Sequence, residues 1–170
     1  FKNKNNFCTY NEKDISKIAD RELDAIIRIE SGIIQGEILK ITKKGIISFH
    51  HGDNDVNRGG PPGFWEVYKR SPKTGFIIQR LKEELDGGDV LFKGFIPTTW
   101  MYMLNRAKLF EISNPFLFKV IEQITSGRDQ LKKWTKKPYS QKLFINPTVA
   151  ESLVYIFRTL RNVLAKIIRR

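Results

Sequence analysis

The sequence is poor in the residues that build covalent cross-links and metal clusters. Its 170 residues include one cysteine, Cys8, and two histidines, which stand side by side. One cysteine excludes an internal disulfide and a cysteine-based metal cluster, and it fits a reducing, cytoplasmic setting. No run approaches the roughly 20 apolar residues of a membrane span, and no signal peptide is visible. Because the chain begins with Phe1 rather than methionine, we expect residues upstream, and the missing signal peptide therefore carries little weight.

The positive charge is concentrated in the last quarter of the chain. The net charge is +12, but residues 1–126 hold 19 basic and 16 acidic side chains, whereas residues 127–170 hold 11 basic and 2 acidic ones. The charge therefore says little about the partners of the first 126 residues, and nucleic acid is not the favoured one.

Strand-like and helix-like segments alternate along residues 14–124. Short β-branched runs predict strands at 24–30, 45–50, 74–82 and 89–96. Helical patterns occupy 14–23, 36–44, 62–70, 98–112 and 115–124, the last two separated by an Asn-Pro break. This alternation predicts an α/β fold with a mostly parallel sheet and flanking helices.

The carboxyl-terminal region divides into a linker and a helix. Residues 127–147 are lysine-rich and lack periodicity, while 148–170 carry one apolar stripe and a capping box formed by Thr148 and Glu151. The stripe comprises Leu153, Ile156, Phe157, Leu160, Val163, Leu164, Ile167 and Ile168. We expect three parts: an α/β domain (1–126), a polar linker (127–147) and an amphipathic basic helix (148–170). This helix either packs on the domain, which we favour, or contacts an anionic membrane or a protein partner.

Polar residues gather where the predicted strands end. The stretch SFHHGDNDVNRGG (48–60) follows the strand at 45–50, and EELDGG (83–88) follows the strand at 74–82. In α/β sheets ligands bind at such strand ends. His50 and Asp86 could form a proton-handling pair there, although a hydrogen-bonded structural histidine is the commoner role.

Two stretches resemble a known family. HHGDNDVNRGGPPGFWEV, followed by TGFIIQRLKEELDGGDVLFKG, resembles the catalytic core of the formyltransferases that use 10-formyltetrahydrofolate, over about residues 20–96. The matching positions are His50, Arg58, Gly59, Pro62, Thr74, Gly75, Leu85, Asp86 and Gly88. The resemblance implies a Rossmann-like domain, here without its amino-terminal part.

The resemblance also implies a site. In that family an amine attacks the formyl carbon of the folate, histidine and asparagine stabilise the oxyanion, and aspartate tunes the histidine. Carried over, His50 and Asp86 are catalytic, with Ser48 at the asparagine position. The implied co-substrate is 10-formyltetrahydrofolate, with no metal. Its predicted binding residues are Gly32, Ile33, Ile34, Leu85, Gly87 and Gly88.

Two departures from the family pattern concern the oxyanion and the acceptor. The hydroxyl of Ser48 reaches less far than an amide, and Asn54 or Asn57 are alternative donors. The loop after the histidine is more polar than in the family, so acceptor recognition should differ. We assign Asn54, Asn57 and Arg58 to the acceptor, and we expect His51 to be an exposed loop residue rather than a second acid–base group.

Three functions follow from this reading. The first is formyl transfer to a primary amine, with a small amine such as an amino sugar favoured over tRNA. The second is hydrolysis of 10-formyltetrahydrofolate, in which water replaces the amine. The third is a folate-binding accessory module without turnover.

Overall fold

The computed structural model describes residues 2–4, 7–29, 32–56, 58–83, 88–127 and 143–168. The chain divides into two compact units, each made of three separate stretches. Unit 1 consists of Phe1–His50, Ile77–Lys93 and Pro115–Lys137, and unit 2 consists of His51–Phe76, Gly94–Asn114 and Pro138–Arg170.

The amino-terminal part of unit 1 is a small sheet with two short helical segments. Its strands are β1 (Lys2–Lys4), β2 (Phe7–Thr9) and β4 (Ile33–Ile34), in the order β1-β2-β4. Helix α1 (Glu12–Ala19) and a 3-10 helix (Glu37–Lys40) accompany it. Cys8, Ile34 and Ile38 are buried together with Ile46, and this apolar cluster joins the small sheet to the main sheet within unit 1.

The main sheet has four strands in the order β3-β5-β7-β8. These are β3 (Ile26–Arg28), β5 (Ile46–His50), β7 (Lys73–Arg80) and β8 (Asp89–Pro97). Strand β3 pairs parallel with β5, while β5 pairs antiparallel with β7. The predicted α/β class is confirmed, but the sheet is mixed rather than mostly parallel. The sequence could not reveal this, because one strand pattern serves both directions of pairing.

Unit 2 contains two short paired strands and parts of three helices. Strand β6 (Arg58–Gly59) pairs parallel with β9 (Leu143–Phe144), and helices α2 (Phe64–Lys69) and α4 (Val149–Ile168) lie in this unit together with the first part of α3 (Tyr102–Thr125), up to Asn114. Strand β9 therefore lies near the end of the predicted linker, 127–147. Linker residues 128–142 lie outside the described ranges. The predicted capping box of α4 is present, since Glu151 N–H donates to Thr148 Oγ1 (3.2 Å) and Thr148 N–H donates to Glu151 Oε2 (2.8 Å).

The two helices predicted on either side of Pro115 are one helix, α3 (Tyr102–Thr125). Proline inside a helix costs about 3 kcal/mol, because it removes a hydrogen bond and crowds the preceding turn. The second half of α3 buries Leu117, Val120 and Ile124 in the core of unit 1. At about 1.5–3 kcal/mol for each buried side chain, this packing outweighs the proline.

The helix predicted over 36–44 is also shorter than expected. Only Glu37–Lys40 is helical, as one 3-10 turn that buries Ile38.

In the described ranges, no helix combines the length and hydropathy that crossing a bilayer requires.

Candidate active site

Strand β5 carries the predicted catalytic histidine at its carboxyl end. Side chains alternate along a strand, so Ile46, Ser48 and His50 share one face of the sheet. Ile46 belongs to a buried apolar cluster, whereas Ser48 and His50 are polar. The face therefore changes from apolar to polar toward the end of β5, which is where ligands bind in α/β sheets.

Ser48 is buried and already holds two hydrogen bonds. It is 2% exposed, its Oγ accepts from Nη1 of Arg28 (3.0 Å), and its hydroxyl lies 3.1 Å from the carbonyl oxygen of Phe49, to which it donates. Arg28 lies directly opposite Ser48 in the β3–β5 register, and its Nη2 donates to the carbonyl of Gly32. The serine hydroxyl is therefore coupled to a guanidinium group.

Gln79 lies opposite Ser48 on the other side of β5, in the β5–β7 register, which places it on the same face. It is buried, and its Oε1 has no hydrogen-bond partner in the described part of the chain. A Cβ at position 88 would lie 3.1 Å from this oxygen and would overlap the carbonyl of Arg80, so only glycine fits there. Arg28, Ser48 and Gln79 thus form a row across three strands, here called the polar row.

Arg28 and Gln79 were not among the candidates that the sequence suggested. The signal for Arg28 was its position inside the β-branched run AIIRI, where an arginine is out of place in a buried strand. The signal for Gln79 was similar, in GFIIQR. Neither signal indicated a common location, because that depends on the register of three strands.

The predicted folate-binding residues of the earlier loop differ in their surroundings. Gly32 is half-buried, and its carbonyl accepts from Arg28. Ile33 and Ile34 form β4, which pairs parallel with β2, and Ile34 is buried in the apolar cluster around Cys8. Their role in folate binding remains a prediction.

The loop that follows His50 in sequence belongs to unit 2 and packs closely against Gly75 of β7. Asp53 is buried, its Oδ1 accepts from the N–H of Asp55 (3.0 Å), and Asn54 lies half-buried inside this turn. A Cβ on Gly75 would come within 2.7 Å of the Cβ of Asp53. The glycine of the Thr-Gly motif therefore lets the loop approach β7.

The threonine of that motif belongs to a second polar group, here called the Asn105 cluster. Asn105 is fully buried, and its Nδ2 donates to the carbonyl of Gly63 (3.0 Å) and to Thr74 Oγ1 (3.0 Å). Its Oδ1 accepts from the N–H of Thr99 (2.9 Å), and Thr74 Oγ1 lies 2.8 Å from Thr98 Oγ1. Thr74 therefore connects β7 to α3.

Arg58 and Gly59 of the Arg-Gly motif form β6. Gly59 has a φ of +93°, and a Cβ there would overlap the backbone of Phe144, so this glycine is required by the neighbouring strand. Trp65 is buried, and its Nε1 donates to the carbonyls of Gly60 (3.0 Å) and Ile145 (3.1 Å). It is a packing residue.

His51 is not the exposed loop residue that we expected. It is half-buried, its ring is stacked on Phe110 at 4.1 Å, and its Nε2 lies 3.1 Å from Ser113 Oγ. These contacts attach the loop to α3 within unit 2, which is a structural role.

Four predicted site residues, Asn57, Leu85, Asp86 and Gly87, lie outside the described residues. The contact between His50 and Asp86 therefore remains a prediction. Across the described ranges, no group of three His, Cys, Asp or Glu side chains could hold a metal ion.

Solved structures define the class of this fold. A methionyl-tRNA formyltransferase from Clostridium thermocellum matches with a TM-score of 0.60 and 20% identity, covering 89% of this chain and 68% of that one. The formyltransferase PseJ from Anoxybacillus kamchatkensis, solved with a formylated UDP-sugar and tetrahydrofolate, matches with a TM-score of 0.59 and 15% identity over 89% of both chains. The protein has the formyltransferase fold.

Sequence relatives carry the assignment further. The methionyl-tRNA formyltransferase of Fusobacterium nucleatum is 30% identical over 128 residues, which is 72% of this chain and 41% of the relative. No family model matches the chain. The resemblance seen in the motifs is confirmed: the chain carries a formyltransferase domain, and it spans about two fifths of this curated relative.

Proposed function

We propose that this protein transfers a formyl group from 10-formyltetrahydrofolate to a primary amine. The observation that carries the proposal is the polar row of Arg28, Ser48 and Gln79, on the same sheet face as His50 in a formyltransferase fold. The acceptor nitrogen forms a bond to the formyl carbon and loses a proton, the bond from that carbon to N10 of the folate breaks, and N10 gains a proton.

In this proposal His50 handles the proton and stabilises the charge that develops on the formyl oxygen. An imidazole can accept a proton in its neutral form and return it from its protonated form near neutral pH, and the end of a rigid strand holds the ring in place. Asp86 is its proposed partner, since a carboxylate beside an imidazole holds the ring and stabilises its protonated form.

Arg28 is the proposed substitute for the asparagine that the family has at position 48. A serine hydroxyl can offer only one proton, and that of Ser48 is directed to the carbonyl of Phe49. The guanidinium of Arg28 is bound to the same hydroxyl and carries five N–H donors. A fixed cation beside a developing oxyanion stabilises the transition state. Removing one such donor by mutation typically costs about 3 kcal/mol of this stabilisation.

The residues beside the polar row suit a reduced pteridine. The pterin ring presents several N–H donors, and the buried Oε1 of Gln79 is an acceptor with no described partner. Position 88 must be glycine because a Cβ there would meet Arg80 and Gln79. We assign Gly88, together with Leu85 and Gly87 of the same loop, to the binding of the pterin. We retain Gly32 and Ile33 as candidates for the opposite wall of the folate site.

The proposed acceptor is a small amine, with an amino sugar favoured. The first 126 residues have 19 basic and 16 acidic side chains, a balance that does not call for an RNA acceptor. Asn54, Asn57 and Arg58 are proposed to recognise the acceptor. Methionyl-tRNA is the alternative, because the Fusobacterium relative carries that activity in its name.

A direct test measures tetrahydrofolate released from 10-formyltetrahydrofolate, with and without added amine. We expect release only with amine, greater with a 4-amino sugar nucleotide than with methionyl-tRNA. Release at the same rate without amine would establish the hydrolase instead. Folate binding without turnover under either condition would establish an accessory module.

The same assay separates the two proposed catalytic side chains from their neighbours. Asp86→Asn and His50→Gln should each abolish turnover while the far-UV circular dichroism stays unchanged. His51→Gln is the matched control for His50 and should retain turnover. Equal activity of His50→Gln and the unchanged protein would remove His50 from the mechanism.

We further propose that the protein is cytoplasmic and attaches peripherally to an anionic lipid surface through α4. Its apolar stripe does not pack on unit 2 as we had expected: Phe157 is 68% exposed, Leu160 57% and Ile167 64%. The polar side of the helix, with Tyr155 and Arg158, faces unit 2 instead. A stripe of exposed apolar side chains marks an interaction surface, and the basic residues at the end of the sequence, Lys166, Arg169 and Arg170, favour an anionic partner.

Vesicle sedimentation tests this contact. The protein should sediment with phosphatidylglycerol vesicles and not with phosphatidylcholine vesicles, and Phe157→Ser with Leu160→Ser should abolish the binding. Phe118→Ser is the control, because Phe118 is an equally exposed aromatic residue on α3. A dimer that dissociates in the Phe157 and Leu160 variant, with no vesicle binding, would replace lipid by a second copy of the chain.

A further inference from the structure

Unit 2 contains a pocket of about 370 Å³ that is distinct from the polar row. Its walls are the end of α2 with the turn that follows, the segment Thr98–Trp100 before α3, and the polar side of α4. The side chains that matter for its chemistry are Tyr68, Arg70, Trp100, Arg158, Arg161 and Asn162. Five further hydroxyl side chains, of Ser71, Thr98, Thr99, Tyr155 and Thr159, complete its polar lining.

Three arginines give the pocket a strong positive charge. No acidic side chain occurs among its described lining residues, and Arg70 and Arg161 form no ion pair within the described part of the chain. Guanidinium groups gathered without carboxylates attract anions, and their planar N–H pairs match the oxygens of a phosphate group.

The pocket is held in place by contacts between α4 and the rest of unit 2. The N–H of Tyr102 donates to Tyr155 Oη (3.1 Å), and Nη1 of Arg158 donates to the carbonyl of Tyr68 (3.2 Å). The guanidinium of Arg158 also lies 5.3 Å from the centre of the Tyr68 ring. Arg158 is therefore preorganised, whereas Arg70 and Arg161 are exposed and able to close on a ligand.

We propose that this pocket binds a small phosphorylated molecule. Its volume falls within the range of about 300–1,000 Å³ typical of small-ligand pockets. The hydroxyl side chains and the amide of Asn162 add hydrogen-bonding groups beside the guanidinium groups, and Trp100 adds an aromatic side chain to the wall. The pocket forms because the polar side of α4, rather than its apolar stripe, faces unit 2.

Isothermal titration with inorganic pyrophosphate tests the proposal independently of formyl transfer. We expect saturable binding that weakens with added salt, and Arg70→Gln and Arg161→Gln should each reduce the affinity about tenfold or more, the effect of losing a charged hydrogen bond. Arg161→Lys should recover only part of the loss, because lysine keeps the charge without the planar pair of donors.

Arg106→Gln is the matched control. Arg106 is an exposed arginine of unit 2 that stacks on Phe110, with its guanidinium 5.6 Å from the ring centre, and it does not line the pocket. Its replacement should leave the affinity unchanged. The proposal is overturned if pyrophosphate does not bind at millimolar concentration, or if Arg106→Gln weakens binding as much as Arg161→Gln. It is also overturned if an RNA oligonucleotide, but not pyrophosphate, loses binding in the two pocket variants.

Discussion

Two buried polar groups, one in each unit, differ in how completely the protein satisfies them. In unit 2, the side chain of Asn105 makes three hydrogen bonds, to Gly63, Thr74 and Thr99. In unit 1, the polar row includes the buried Oε1 of Gln79, which has no partner among the described residues. Burying an unpaired oxygen costs about 1–3 kcal/mol, so a protein that keeps one gains something else from it.

We infer from this contrast that the Asn105 cluster stabilises the fold and that the polar row is available for chemistry. A fully paired group at the junction of a strand, a loop and a helix stabilises that junction. We expect an incompletely paired group beside a strand end to be complementary to a ligand. The variants below test this distinction, beginning with the largest expected effect.

Among the variants of the polar row and the Asn105 cluster, that of Arg28 should reduce catalysis most. Arg28→Met retains the length of the side chain but removes the charge beside Ser48, and we expect turnover to fall about 100-fold, as when one oxyanion donor is lost. Steady-state kinetics should show the loss in kcat, with little change in KM for the folate. Arg21→Met, an exposed arginine of unit 1, is the control and should be unchanged. An Arg28 variant with full activity would contradict the substitution of Arg28 for the family asparagine.

Replacing Asn105 should reduce stability rather than chemistry. Asn105→Ala leaves the buried carbonyl of Gly63 and the half-buried N–H of Thr99 unpaired, so the free energy of unfolding should fall by about 3 kcal/mol. Urea denaturation followed by circular dichroism measures this change. Asn114→Ala, at an exposed position of the same helix, should cost less than about 0.5 kcal/mol. Similar losses in both variants would show that the Asn105 cluster is not a stabilising junction.

Replacing Gln79 should separate binding from stability. Gln79→Leu removes a buried unpaired oxygen, so the unfolding free energy should stay the same or rise. Affinity for tetrahydrofolate, measured by calorimetric titration, should fall roughly tenfold if the oxygen accepts a hydrogen bond from the pterin. Gln123→Leu on the exposed side of α3 controls for the change in side chain. A lower stability with unchanged folate affinity would assign Gln79 to the fold instead.

Replacing His51 should have the smallest effect. His51→Phe preserves the stacking on Phe110 and loses the contact with Ser113, so the unfolding free energy should fall by about 1 kcal/mol. Turnover should not change, and the midpoints of its pH dependence should be the same as in the unchanged protein. A shifted midpoint would indicate that His51 takes part in proton transfer.

Much of the fold could be predicted from local pattern. Periodicity and turn residues correctly indicated four strands of the main sheet, the short helix α2 and the capped helix α4. The strands are 26–28, 46–50, 73–80 and 89–97. The errors arose where tertiary packing outweighed a local signal. Pro115 is accommodated because the residues after it are buried, and the segment after Gly36 makes only one turn around Ile38.

The candidate site was predictable only in part, for a similar reason. Motif spacing singled out His50, Thr74 and Gly75; the structure explains Gly75 by the closeness of Asp53, while the catalytic role of His50 stays a prediction. It did not identify Arg28 and Gln79, since their meeting at Ser48 requires one parallel and one antiparallel pairing in a defined register.

The sequence by itself determined the α/β class, the formyltransferase resemblance and the amphipathic character of the last helix, because these depend on residue type and spacing along the chain. Only the tertiary structure decided which side of α4 faces unit 2, which polar side chains are satisfied and which residues surround Ser48. These outcomes depend on strand register and on competition between packing and solvation, and both are properties of contacts between residues far apart in sequence.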